Sequence, residues 1–283
     1  MAIFKKILVP FDDNIRSIAA LDYAAMFASG IGAKIVAFHL ADLKDFHSLE
    51  EFQNDLSDLV NEELRPKLKN IQNKYPDIRK IDLQIRGLEK SIHEHIIDFA
   101  EENEIDFIVL RSHGLPSEGD WELHFKSTIP YKVVLESSCP VFTFTQIPEN
   151  PKLNNILVPL DLSEGSLYKV PMAINLANQF DATLHLLSAS EHKDDFDELN
   201  QLLDETEDDL KRSCNVVKHG VYHSTIPEAI SYNTKILDID LILIMSRPGF
   251  RWSDLWISPK AKRIISHSKV PVISIRSNKA VGI

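Results

Sequence analysis

A six-residue stretch, Ile7-Leu8-Val9-Pro10-Phe11-Asp12, returns 149 positions later as Ile156-Leu157-Val158-Pro159-Leu160-Asp161. An apolar run that ends in Pro-x-Asp and leads into helical periodicity reads as a buried strand delivering a carboxylate to its exit loop. Two such runs in 283 residues constrain the chain to two similar domains of roughly 140 residues, each long enough to build its own core. Residues 1–147 are the first expected domain and 153–283 the second, with Gln146 to Asn154, carrying Pro148 and Pro151, as the linker.

The segments between the repeats alternate strand and helix patterns. Ile18, Leu21, Ala25 and Ala28 recur at helical spacing before Gly30 and Gly32, and Ala33 to Leu40 reads as a second strand. Phe46 to Tyr75 is a long charged helical region that Pro66 kinks or breaks. Lys80 to Arg86 is a third strand turned by Gly87, Glu89 to Asn103 a helix, and Ile105 to Leu110 a fourth strand. Ser127-Thr128 caps a helix to about Ser137, followed by a short strand at Cys139 to Phe144. The second half repeats the order, with strands at Ile156, Ala182, Val216 and Leu241, a turn at Gly220, a helix start at Ser258-Pro259 and a last strand at Val270 to Ile275. Strands alternating with helices predict a parallel sheet covered on both faces.

Composition narrows the function classes. A net charge of −11 argues against general nucleic-acid binding, which neutralises phosphates with a basic face. The first 147 residues carry 16 Lys and Arg against 24 Asp and Glu, while residues 245–270 hold six basic residues against Asp254 alone. That basic segment reads as a solvated helix face or an anion attractor. No apolar run approaches the roughly 20 residues of a membrane span, and no signal peptide is visible, so a cytoplasmic protein away from membranes is expected. Cys139 and Cys214, one per half, fit a reducing compartment. No P-loop, nucleophile elbow, His-Glu-x-x-His or Cys-x-x-Cys is present, so neither a catalytic residue nor a metal site is assigned. His39 reads as a core or rim residue, His93 and His95 do not face each other on one helix, and His219 and His223 flank a turn at the surface. Trp121, Trp252 and Trp256 read as residues that pack the two domains together or close a pocket over a ligand, with packing favoured.

The exit Val-Pro-x-Asp, Gly87 and Gly220 before a helix, Asp106 and Asp240 opening an apolar strand, Ser112-His113-Gly114 after it and the closing Cys139-Pro140-Val141 together resemble the universal stress protein family, over nearly the whole chain and as two tandem copies. The resemblance implies two five-stranded parallel α/β sandwich domains, adenine nucleotide alpha hydrolase-like, of strand order 3-2-1-4-5. It also implies pairing of domains through their last strands, as an internal domain pair or in a homodimer. Many members bind ATP at the carboxyl ends of strands one and four, a topological switch point; others bind none and act in stress survival through protein partners.

In ATP-binding members a Gly-x-x-Gly, nine residues and Gly-Ser/Thr cradle the phosphates, where glycines allow backbone approach and a helix N-terminus supplies N–H groups. Here Arg111 and Ser127 replace glycines in the first copy, which keeps Gly114, with twelve residues between Gly114 and Ser127. Met245, Pro248 and Ser258 stand at the glycine positions of the second copy, and Pro259 removes a donor. The set carried over for an adenine nucleotide such as ATP is therefore Pro10, Asp12, Leu40, Gly114, Ser127 and Thr128 in the first copy, with Asp161 and Ser258 as a reduced set in the second. Asp12 also reads as a cap of the helix that follows it. The expected function is a non-enzymatic stress-response module with degenerate nucleotide sites; the alternative is an ATP-gated switch or slow ATPase using the first domain.

Overall fold

In the computed structural model of the chain the described residues are 3–11, 15–41, 49–112, 128–146, 151–162, 165–190, 193–222, 226–246, 264–265 and 268–276. They form two compact units, residues 1–111 and 112–283. The expected helix start at Ser258-Pro259, the three tryptophans and His223 lie outside the described residues.

The first unit contains β1 (Lys6–Pro10), α1 (Ile15–Ile31), β2 (Lys34–Ala41), α2 (Leu49–Asp58), α3 (Arg65–Lys74), β3 (Lys80–Gly87), α4 (Ile92–Glu102) and β4 (Phe107–Arg111). Its strands are parallel in the order β3-β2-β1-β4. Ile7, Leu8 and Val9 are consecutive and all fully buried, which a strand achieves only when both sheet faces are covered. Aromatics fill the core: Phe107 stacks on Phe4 at 4.1 Å and meets Phe27 edge-on at 5.4 Å, while Phe38 stacks on Phe99 at 4.3 Å. The Asp106 carboxylate accepts the backbone N–H groups of Lys5 and Lys6 at 2.8 and 3.0 Å, tying the start of β1 to that of β4.

The long charged helix is interrupted, as Pro66 requires. Between α2 and α3, residues Leu59–Leu64 form a π-helical turn, in which the Arg65 N–H donates to the Val60 carbonyl. The wider turn ends two residues before Pro66, which has no N–H to give.

The second unit contains α5 (Ile129–Glu136), β5 (Val141–Phe144), β6 (Asn155–Leu160), a 3₁₀ turn (Ser166–Lys169), α6 (Val170–Phe180), β7 (Thr183–Ser190), α7 (Lys193–Leu210), β8 (Val216–Tyr222), α8 (Ile226–Ile236), β9 (Leu241–Met245) and β10 (Val272–Ile275). The strands β8-β7-β6-β9-β10 are parallel, and this is the 3-2-1-4-5 order of the second copy. β5, the last strand of the first copy, pairs antiparallel with β10, Phe142 lying opposite Ile273. The Asp240 carboxylate accepts the N–H groups of Asn154 and Asn155 at 2.8 and 3.1 Å, as Asp106 does in the first unit.

Two expectations at Gly220 are corrected. The residue lies inside β8, opposite Ser188, whereas Gly87 lies opposite Ala41, two rungs farther along the equivalent ladder. It is not a turn glycine but a strand residue under α7, where a Cβ would meet the Asn200 side-chain amide and stand 3.6 Å from the Phe196 ring. His219 is accordingly a strand residue and not the flank of a turn.

Candidate functional site

In a parallel α/β sheet, the crevice for a ligand opens at the carboxyl ends of strands that neighbour each other at the switch point. These are β1 and β4 in the first unit and β6 and β9 in the second.

In the first unit, Pro10 ends β1 half-buried and Leu40 stands one residue before the end of β2. The ladder extends one residue beyond the proline, with the Phe11 N–H donating to the Phe38 carbonyl at 2.8 Å. His39 is buried, and its Nδ1 lies 2.9 Å from the Phe11 carbonyl, which makes Nδ1 the donor. The histidine therefore anchors the strand exit from below. Asp12, Gly114, Ser127 and Ser258 lie outside the described residues. Thr128 belongs to the other unit and caps α5, its Oγ1 accepting the Tyr131 N–H at 3.4 Å.

In the second unit Asp161 follows β6 directly. Its backbone N–H donates to Ser166 Oγ at 2.9 Å, which closes the exit loop onto the 3₁₀ turn. Lys169, at the end of that turn, is only 4% exposed. Its ammonium donates to the Ser166 carbonyl at 2.8 Å and lies 3.5 Å from Ser166 Oγ. Burial pushes the ammonium down to about 8, opposed by the charge of the Asp161 carboxylate. Neither Ser166 nor Lys169 was singled out from the sequence. The signal was the repeat offset, which sets Ser166 on Ser17, another buried serine, and Lys169 on the buried Ala20.

Both strands that should lead into a phosphate cradle run on as strand through the residues replacing its first glycine, Arg111 in β4 and Met245 in β9. Among the described residues no group of three or more His, Cys, Asp or Glu side chains is arranged to hold a metal ion.

Two histidine arrangements lie elsewhere. His95 Nε2 accepts the N–H groups of Glu89 and Lys90 at 3.1 and 3.2 Å, so this nitrogen carries no proton, and burial holds the ring below the usual histidine range. At the amino-terminal edge of the second sheet, Asn155 Nδ2 donates to the Asp238 carbonyl at 3.1 Å and its Oδ1 faces His185 Nε2 at 3.2 Å. His185 Nδ1 then accepts from His219 Nε2 at 3.0 Å, a one-way chain of neutral rings. Burial lowers both rings' proton affinity, with His219 adding to the effect at His185.

Comparison with known proteins bears on the whole chain. The model of the universal stress protein family matches residues 3–144 and again 152–276. The universal stress protein MJ0577 of Methanocaldococcus jannaschii is 27% identical over 129 residues, covering 39% of this chain and 78% of the relative. MJ0531 of the same organism is 26% identical over 141 residues, covering 49% and 81%. A universal stress protein of Archaeoglobus fulgidus superposes with a TM-score of 0.76 at 19% identity, covering 97% of each chain, which establishes the same fold for both halves.

Proposed function

The chain belongs to the universal stress protein family as a tandem member, and from that premise we propose that it works as a non-enzymatic stress-response module whose nucleotide sites are degenerate. The segments 1–147 and 153–283 are read as its functional domains, a division supported by the two matched stretches. The observation that carries the reading is the continuation of β4 and β9 through Arg111 and Met245. A side chain and a strand conformation at the first cradle position work against the close backbone approach that a phosphate needs. The module then acts through protein partners, in the cytoplasm, without nucleic acid or membrane.

A second reading keeps an adenine nucleotide in the first copy, as a switch or a slow ATPase. It is favoured by the start of α5, where Thr128 is a formed N-cap and the helix opens directly after the Ser127-Thr128 pair. In this reading Pro10, Asp12 and Leu40 meet the adenosine, Gly114 approaches the phosphates, and Ser127 and Thr128 offer hydroxyls; Asp161 and Ser258 would serve a weaker second site.

One experiment separates the two. Freshly purified protein is denatured and its small molecules are identified by mass spectrometry, alongside thermal unfolding with millimolar ATP. Empty protein with no thermal shift is expected of the degenerate module, and stoichiometric ATP or AMP would overturn it in favour of the second reading.

A further inference from the structure

Among the described residues, Lys169 is one side chain that distinguishes the second switch point from the first. The 3₁₀ turn that carries it packs against β6 and β9, the two strands whose carboxyl ends define the crevice. A four-carbon stem and an ammonium are buried there, where the first copy has the methyl group of Ala20. The ammonium is satisfied by groups of its own turn, the Ser166 carbonyl and hydroxyl, and faces the charge of Asp161.

Stability alone does not account for this residue. Burying an ammonium carries a desolvation cost that an apolar side chain of similar volume does not. Groups that weaken the fold in this way concentrate where a site is being shaped.

We propose that Lys169 is the internal ligand of the second copy: its side chain fills the crevice at the β6 and β9 ends and its ammonium engages the acceptors that a bound molecule would otherwise use. A small molecule at the second switch point would then have to displace this side chain. The part that concerns ligand choice rests on the reading that nucleotide recognition, where it survives, belongs to the first copy. The part that concerns Lys169 does not. Removing the side chain leaves the Ser166 carbonyl and hydroxyl beside a space of matching size, an acceptor pair suited to a small primary alkylammonium ion.

The test uses the full chain and n-propylammonium chloride as the probe, with sodium chloride at equal ionic strength as reference. Lys169→Ala is expected to gain a thermal shift of about 3 °C or more at saturating propylammonium. Wild-type protein and Lys169→Met, whose stem keeps the crevice filled without a charge, are expected to gain none. A Lys169→Ala response equal to that in sodium chloride would overturn the assignment. A second measurement needs no variant: reductive methylation of wild-type protein, read by mass spectrometry, is expected to modify Lys169 at least about tenfold more slowly than the exposed Lys235 and Lys269. Equal rates would mean that the amine is not seated, and would also overturn it. Adenosine titration keeps the two claims apart. Binding to wild-type protein that disappears in Asp12→Ala supports nucleoside recognition in the first copy, whereas no adenosine binding removes that reading and leaves the Lys169 results standing on their own.

Discussion

Four buried phenylalanines of the first unit, Phe4, Phe27, Phe38 and Phe107, stand where the second has Leu153, Leu176, Leu187 and Leu241, all buried as well. The polar residues that tie strand ends together did not diverge in that way. Asp106 and Asp240 each collect two N–H groups at a strand start. Glu104 and Asp238, two residues before them, share a left-handed backbone with φ of 51° and 47°. Ser137 and Ser268 each accept the N–H two residues on, at 3.2 Å in both cases. The contrast teaches which features specify the topology. Core positions require apolar volume and tolerate a change of shape when the whole layer changes together; the backbone groups at strand ends require particular partners. At the strand exits the copies differ in kind, with Ala20 and His39 in one and Lys169 and Ser188 in the other.

If the two cores are built to different shapes, Phe107→Ala will cost about 3–5 kcal/mol and Phe107→Leu much more than zero, because Phe4 and Phe27 are shaped around the ring. Chemical denaturation of both variants checks this, and a neutral Phe107→Leu would mean that the layers are interchangeable. The strand-end residues, by contrast, should behave alike. Asp106→Ala and Asp240→Ala are each expected to destabilise the protein by about 2 kcal/mol, since each loses two charge-assisted hydrogen bonds, Asp106 through both carboxylate oxygens and Asp240 through one, its other oxygen lying 3.5 Å from the Lys152 ammonium. A difference of more than about 1 kcal/mol between them would break the equivalence.

The second exit predicts a pH response that the first lacks. Lys169 has a folded-state proton affinity below its unfolded one, so the folded state releases the proton first and stability rises as pH climbs from about 8 toward the unfolded lysine value. The effect is on the order of 1–2 kcal/mol by pH 10, and urea unfolding of Lys169→Met should lack the slope. Ala20 supplies no counterpart. The smallest effect is expected at His95, whose site in α4 corresponds to Ala229 in α8. Its folded form favours the neutral ring, so its contribution is present above the unfolded value of about 6.5 and is lost as pH falls below it. Acid titration of stability should show a shallower loss in His95→Ala than in wild-type protein.

Much of the architecture was legible because it is written in short-range patterns. The repeat exposed two copies, consecutive apolar residues such as Leu241-Ile242-Leu243-Ile244 marked strands covered on both faces, and Pro66 marked the break that the π-helical turn now occupies. Gly220 was misread because its place inside a strand depends on the pairing of β8 with β7, which no local pattern carries. The meeting of His185 with His219 has no local signal, since only the register of β7 against β8 brings their rings together. Lys169 was passed over because a lysine in a helical segment reads as exposed by default. Of the carried-over site residues, Pro10, Leu40, Thr128 and Asp161 can be placed, and what the sequence could not convey about Asp161 is that its own turn carries a buried cation.

The antiparallel pairing of β5 with β10 joins the last strands of the two copies inside one polypeptide. Such a ladder between separate chains would dissolve on dilution and, about a two-fold axis, would oblige every residue to suit both sides of the contact. Tethering removes both conditions: the effective concentration of one strand for the other is set by the chain and not by the cell, and unlike residues such as Phe142 and Ile273 can face each other across the ladder. Freed from self-complementarity, each half can change without its twin, and the different residues now found at the two strand exits are what that freedom permits.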